Sequence, residues 1–134
     1  MRITTWNVNS IKQRLPHLLG FLEEARPDVV CLQELKCQDE AFPRADIEAA
    51  GYAVETLGQK AYNGVALLVR APLAMSEIRR GLPGDADDAQ ARYIEALITG
   101  ADTRPVRVAS IYLPNGNPVD SPKYPYKLAF MERL

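Results

Sequence analysis

Glu34 closes the run Val29-Val30-Cys31-Leu32-Gln33, and Lys36 follows two residues later. A carboxylate at the end of a buried strand is expensive to desolvate unless a partner meets it. Open α/β sheets collect their ligands at the carboxyl ends of their strands. Glu34 therefore reads as a metal ligand or a catalytic acid. A first strand, Ile3-Thr4-Thr5-Trp6, ends in the polar group Asn7-Val8-Asn9-Ser10. Mg²⁺ takes oxygen ligands, commonly one or two carboxylates completed by water and substrate phosphate. Glu34 with the Asn7 amide from the next strand suits that chemistry. A Glu34 held by a helix terminus, or simply paired with Lys36, suits the spacing as well.

Other residues stand where chemistry is feasible. Tyr112 ends the stretch Val106-Arg107-Val108-Ala109-Ser110-Ile111, just before the turn-rich Leu113-Pro114-Asn115-Gly116-Asn117-Pro118. Its hydroxyl could donate to a phosphate oxygen or merely cover a core edge. Arg92 opens a strand and could clamp a phosphate or flank the acidic loop before it. Asn63-Gly64 precedes Val65 to Val69, as a close approach to a ligand or as a tight strand entry. His17 lies within a helix, away from the strand ends. The chain shows neither a glycine-rich phosphate loop nor a serine nucleophile elbow.

The elements that must carry these groups follow from periodicity. Residues 2–7 read as a strand and 11–25 as a helix, with Ile11, Leu15, Leu18, Leu22 and Ala25 on one face. Pro16 is best tolerated near the first turn, which predicts a regular helix from about Leu15. Residues 28–34 form the second strand of a βαβ unit, apolar on both faces as in a covered sheet. A short helix is expected at 44–50, then strands at 52–57, 65–70, 75–79, 92–99 and 106–113. A last helix over 126–134 places Leu128, Met131 and Leu134 together. Tandem strands after one βαβ unit predict an α/β (α+β) fold, a mixed sheet with helices on one side.

The 134 residues suit one domain, and 47% hydrophobic with 25% charged residues is ordinary for a globular protein. A net charge of −1 excludes a general basic field, so any nucleic-acid contact must be local. Cys31 and Cys37 are too few for a disulfide framework. The opening Met1-Arg2-Ile3 has no signal-peptide pattern, and no apolar run approaches the roughly 18 residues of a membrane span. A cytoplasmic protein without membrane contact is expected.

Four segments in order carry a resemblance. Trp6-Asn7-Val8-Asn9-Ser10-Ile11, Pro27-Asp28-Val29-Val30-Cys31-Leu32-Gln33-Glu34, Gly58 to Ala66 and Tyr112-Leu113-Pro114-Asn115-Gly116 resemble exonuclease III-type enzymes. These are abasic-site DNA repair nucleases of the endonuclease/exonuclease/phosphatase superfamily. Lys123-Tyr124-Pro125-Tyr126-Lys127-Leu128 continues the likeness more loosely. The resemblance implies a four-layer α/β sandwich and phosphodiester hydrolysis with Mg²⁺ or Mn²⁺. It implies Glu34 as direct metal ligand, Asn7 as its hydrogen-bonding or ligating neighbour, and Tyr112 on the scissile phosphate. Lys36, Arg92 and Asn115 would lie along the backbone of double-stranded DNA at an abasic site or 3′ end. Asn9 stands where some relatives carry aspartate.

The family's Gly-Asp-x-Asn and Ser-Asp-His motifs do not occur in these residues. Residues 1–134 are thus expected to be the N-terminal portion of the domain, with little or no activity alone. If the facing sheet lay outside the chain, an uncovered sheet face would favour self-association. A superfamily enzyme acting on another phosphoester, or a non-catalytic DNA-binding fragment, are the alternative functions.

Overall fold

The computed structural model describes residues 1–134. The chain runs β1 (Ile3–Asn7), α1 (Ile11–Ala25), β2 (Val29–Gln33), α2 (Arg44–Ala49), β3 (Tyr52–Leu57), β4 (Val65–Arg70), β5 (Ala74–Arg80), β6 (Tyr93–Gly100), β7 (Thr103–Ile111) and α3 (Lys123–Arg133), with one 3₁₀ turn at Asp39–Ala41. The strands make two sheets, β1-β2-β4-β3 and β5-β6-β7. Only β1 and β2 pair in parallel; every other pairing is antiparallel.

Helix α1 starts at Ile11 rather than Leu15, and Pro16 lies inside it. The hydrogen bond that Pro16 cannot donate falls on the solvent side, where Pro16 and Lys12 are both exposed. Ser10 Oγ accepts from Gln13 N at the start, and Arg26 ends the helix in the left-handed conformation before Pro27. Ile11, Leu18 and Leu22 are buried against Val30, Leu32, Val54 and Leu68 on the outer face of the four-stranded sheet. The other face presents Val29, Cys31, Val65, Leu67 and Val69 to Ile94, Ala96, Ile98 and Val108 of the three-stranded sheet. Buried between two apolar layers, all five residues of β2 are inaccessible.

That second core corrects one expectation. The facing sheet is built by this chain's own β5–β7, so the inner face of the four-stranded sheet is covered rather than left as a surface for self-association. What stays open is narrower. β1 and β3 in one sheet and β5 and β7 in the other pair on one side only, and β7 lies over β2 and β4 rather than over the β1 edge. Ile3 is accordingly half-exposed.

Two other departures have local causes. β7 starts at Thr103 and takes in Pro105, which an edge strand tolerates because no neighbour needs its N–H. On α3 the buried residue is Phe130, while Leu128, Met131 and Leu134 are exposed. The helix turns Tyr126, Phe130 and Arg133 toward the loop before β6 instead. No helix is long and apolar enough to cross a membrane.

The outer face of the three-stranded sheet holds a buried acid. Glu95 on β6 accepts hydrogen bonds from Arg79 (3.1 Å), Arg107 (3.0 Å) and Tyr93 (2.9 Å). Burial pushes Glu95 up, but these three donors and the two guanidinium charges outweigh it and hold the acid below its ordinary range.

Candidate active site

Strand parity sets which side chains meet. Ile3, Thr5 and Asn7 share a face with Val29, Cys31 and Gln33, because β1 and β2 pair in register. That face looks toward β7. Gln33 is buried there and bridges the layers: its Nε2 donates to Thr5 Oγ1 (3.0 Å) and Ser110 Oγ (3.1 Å). Ser110 Oγ donates in turn to Leu32 O (2.8 Å). This polar link fixes the ends of β1, β2 and β7 together.

Just beyond it the backbone turns sharply. Glu34 and Lys36 both have φ 57°, Asn9 φ 44° and Asn63 φ 53°, left-handed conformations that asparagine tolerates and that are costly for Glu34 and Lys36. The pairing nevertheless continues past the strands through Ser10 N→Glu34 O (2.9 Å), Leu35 N→Gly64 O (3.2 Å) and Lys36 N→Asn63 O (2.9 Å). Gly64 (φ 96°) is required by contact: a Cβ there would stand 2.9 Å from Leu35 Cβ. Its role is strand entry and packing.

These turns aim Glu34 at a defined set of donors. Its Oε1 accepts from Asn7 Nδ2 (2.8 Å) and Tyr112 OH (2.7 Å), and its Oε2 lies 3.7 Å from Lys36 Nζ. The hydrogen bonds from Asn7 and Tyr112, with the Lys36 charge, hold Glu34 below its usual range. Burial and the Glu34 carboxylate push the Tyr112 phenol up, so it remains a protonated donor at neutral pH. Asn7 Oδ1 accepts from Asn9 N (3.1 Å), which leaves its amide N–H for Glu34; Asn7 here orients the carboxylate. Lys36 Nζ donates to Asn9 Oδ1 (2.5 Å).

Arg92 stands behind Tyr112, its guanidinium carbon 4.8 Å from the ring centroid and its Nη1 donating to Tyr112 O (3.1 Å). Asn115 makes no contact with Glu34; its Oδ1 accepts from Asn117 N (2.8 Å). Arg92 and Asn115 instead line a neighbouring cavity of about 330 Å³ with Gly116, Lys123 and Tyr126. Glu34, Asn7, Lys36 and Tyr112 thus meet at one place; strand-end position suggested Glu34 with Asn7, and the family resemblance added Tyr112. Gln33, Ser110 and Tyr126 went unread. A polar Gln33 inside an otherwise apolar buried strand was the available signal, since such a group needs partners.

No three His, Cys, Asp or Glu side chains gather anywhere to form a metal cage. Glu34 Oε2, with no short hydrogen bond, is the free anionic donor. One such carboxylate suits a hydrated Mg²⁺ or Mn²⁺ shared with a phosphate, and does not suit an all-protein calcium or zinc site.

Two facing sheets with helices packed on the four-stranded one, and a carboxylate, an amide and a phenol converging at strand ends, define an α/β sandwich with a polar site at its rim. Residues 4–134 match the Endonuclease/Exonuclease/phosphatase family, and the chain belongs to it. It is 38% identical to exodeoxyribonuclease III of Haemophilus influenzae, over all of this chain and 49% of that protein. Among solved structures it is similar to the Neisseria 3′ phosphatase NExo bound to product DNA hairpin (41% identity, TM-score 0.91, 99% of this chain and 49% of the other). An AP endonuclease from Archaeoglobus fulgidus matches at 38% identity and TM-score 0.87, again over 99% and 49%. The chain spans about half the length of the relatives it matches.

The four lowered carboxylates carry a pH signature. Asp28 is lowered by the Arg2 backbone N–H and by Arg70; Asp88 is lowered because its donors, Arg133 foremost, outweigh the opposing effect of burial. Glu34 and Glu95 complete the set. A group whose folded pKa is depressed contributes stability above its unfolded value and loses it as pH falls. The ordinary values are 3.8 for Asp and 4.5 for Glu. Urea midpoints should therefore hold steady over ~pH 5 to 8 and fall steadily below about pH 4.5.

Proposed function

We propose that this chain carries one part of a divalent-metal-dependent phosphodiesterase site that acts on DNA, of the exodeoxyribonuclease III or abasic-site endonuclease type. The observation that carries this reading is the convergence of Glu34, Asn7 and Tyr112 at the ends of β1, β2 and β7. The similarity to an exodeoxyribonuclease III, an AP endonuclease and a DNA-bound 3′ phosphatase supports DNA as the substrate. Residues 1–134 are read as the N-terminal portion of a longer domain, working in the cytoplasm.

Mg²⁺ or Mn²⁺ held at Glu34 would supply Lewis-acid stabilisation of charge on the phosphate. The chain's own residues do the rest that it can do. Asn7 and the strand ends orient the Glu34 carboxylate. The Tyr112 phenol, kept protonated, donates to a phosphoryl oxygen in place of Glu34. Lys36, Arg92 and Asn115 contact the DNA backbone on either side. No second carboxylate lies beside Glu34 to activate a water, and groups that act as a unit lose most of their effect when one is missing.

Single-turnover cleavage of duplexes carrying one abasic site, or a free 3′ end, tests this in Mg²⁺. The chain alone should be slower than the Haemophilus influenzae enzyme by about 10³-fold or more. It should still bind the duplex, with affinity reduced by Arg92→Ala. Cleavage close to that of the relative would refute the incomplete-site reading. Failure to bind either duplex would refute the DNA reading.

A further inference from the structure

Arg92 is held on every side but one. Its Nε donates to Gln90 Oε1 (2.7 Å) and its Nη1 to Tyr112 O (3.1 Å). The guanidinium carbon lies 4.8 Å from the Tyr112 ring centroid and 5.8 Å from that of Tyr126. Its Nη2 makes no hydrogen bond within the chain, and the residue lines the cavity shared with Asn115 and Lys123. A long flexible cation has thus been fixed in one pose with a donor left over.

The fixing traces to a single carboxylate. Asp88 Oδ2 accepts from Tyr126 OH (2.8 Å) and from Arg133 Nη2 (2.8 Å), while its Oδ1 accepts from Gln90 N (3.0 Å). Asp88 therefore anchors both flanks of Arg92: the Gln90 side through the backbone and the Tyr126 side through the phenol. Tyr126 and Arg133 lie two turns apart on α3, so the same carboxylate clamps that helix along its length. Asp88 and Arg133 are largely buried, with side-chain exposures of 9% and 14%. Burial and the bond to Asp88 push the Tyr126 phenol up to about 12, so it stays a donor throughout the working range.

We propose that Tyr126, anchored by Asp88, is a positioning residue that holds Arg92 between two tyrosine rings and presents its free Nη2 to a DNA phosphate beside Tyr112. The phosphate rests on the DNA reading above; the held pose of Arg92 does not. Stacking on a planar guanidinium together with directional hydrogen bonds is what distinguishes an ordered Arg from a solvated one. Tyr126 therefore acts on the site through Arg92.

Nuclear magnetic resonance of arginine Nε–Hε groups reads the pose directly, with the Arg92 signal assigned through Arg92→Lys. In the unaltered chain this signal should be ring-current shifted and slow to exchange with water. Tyr126→Leu should move it to the solvent-exposed position and speed exchange by about tenfold or more, as expected when a protected donor is released. Tyr126→Phe, which keeps the ring but loses the bond to Asp88, should give a shift and an exchange rate between the two. Anisotropy with a short labelled duplex in EDTA should show Tyr126→Leu weakening binding several-fold, with little added loss on top of Arg92→Ala.

An unchanged Arg92 signal in Tyr126→Leu would overturn the proposal, even if the melting temperature fell. Should that variant fail to fold, Tyr126→Phe decides: an Arg92 signal as shifted and as slow to exchange as in the unaltered chain would show that the Asp88 anchor does not hold the pose. A duplex that does not bind at all would defeat the DNA reading and leave the Arg92 signal to decide the positioning claim.

Discussion

Replacing Glu34 by alanine is expected to remove Mn²⁺ binding at the strand ends and to lower the stability of the fold only slightly. Mn²⁺ broadens the resonances of nearby residues, so Asn7, Lys36 and Tyr112 should broaden in the original chain and stay sharp in the variant. Glu34 is the only carboxylate in the group, and loss of an anionic ligand from so sparse a site should reduce affinity by about tenfold or more, roughly 1.4 kcal/mol. Stability should change little. The carboxylate's contacts with Asn7 and Tyr112 are lost, and alanine keeps φ 57°, a conformation that costs of order 1 kcal/mol for a residue with a Cβ. Glu34→Gly relieves that strain and should melt at or above the alanine variant, while abolishing Mn²⁺ broadening as alanine does. A glycine variant that melts well below the alanine one would show that the turn at Glu34 stores no strain.

Glu95→Ala should have the largest effect on stability. Breaking a buried ion pair by removing one partner costs about 3–5 kcal/mol when the other charge is left dry. Here the remaining guanidinium groups are not dry: Arg79 is 57% exposed and Arg107 42%, against 5% for Glu95. Both can turn to water, so the cost should fall nearer 2–3 kcal/mol, mostly from lost packing and from the unpaired Tyr93 hydroxyl, roughly. For a chain of this size that lowers the melting temperature by about 6–12 °C. Glu95→Gln should cost less, because the amide oxygen still accepts from Tyr93. Calorimetry of the two variants checks both statements, and a shift below a few degrees for alanine would mean that this ion cluster is ornamental to the fold.

Much of the frame was readable from residue patterns. The βαβ unit followed from the i, i+3, i+4 spacing of Ile11, Leu15, Leu18 and Leu22 between two strands. The strands from Tyr52 onward were placed nearly in full. Their partition into two facing sheets was not visible in the local pattern, because a strand buried between layers looks alike whichever sheet it joins; the family resemblance implied a second sheet but not that β5–β7 of this chain would build it. Pro16 misplaced the start of α1, since propensity says nothing about which side of the helix faces water. The face of α3 was misread for a related reason. Leu128, Met131 and Leu134 are more apolar than Tyr126 and Arg133, but Asp88, some forty residues earlier, turns the helix to bury its own hydrogen-bonding partners.

The site divides the same way. Glu34 and Asn7 were found because each stands at a strand end and β1 and β2 are neighbours in one sheet; Tyr112 follows β7 of the other sheet, and the family resemblance joined it to them. Arg92 and Asn115 were placed near DNA by resemblance, and they do meet at one cavity. The Asp88–Tyr126 anchor was illegible, since it joins an acidic loop to a helix by a single shared oxygen. No spacing rule encodes such a contact.

The bare outer margins of β1 and β7 have a further implication. They lie at the same side of the sandwich, tied across the layers by Gln33. Each margin is a row of amide and carbonyl groups that only water satisfies in the isolated chain, and edge rows of this kind template any strand of fitting register. Detergent or a generic apolar surface cannot substitute, because neither donates nor accepts in sequence along a strand. A strand added to either margin would have to match its register, because a slip of one residue turns side chains to the wrong faces. The rim that carries Glu34 is therefore bordered by a surface whose code is written in backbone hydrogen bonds.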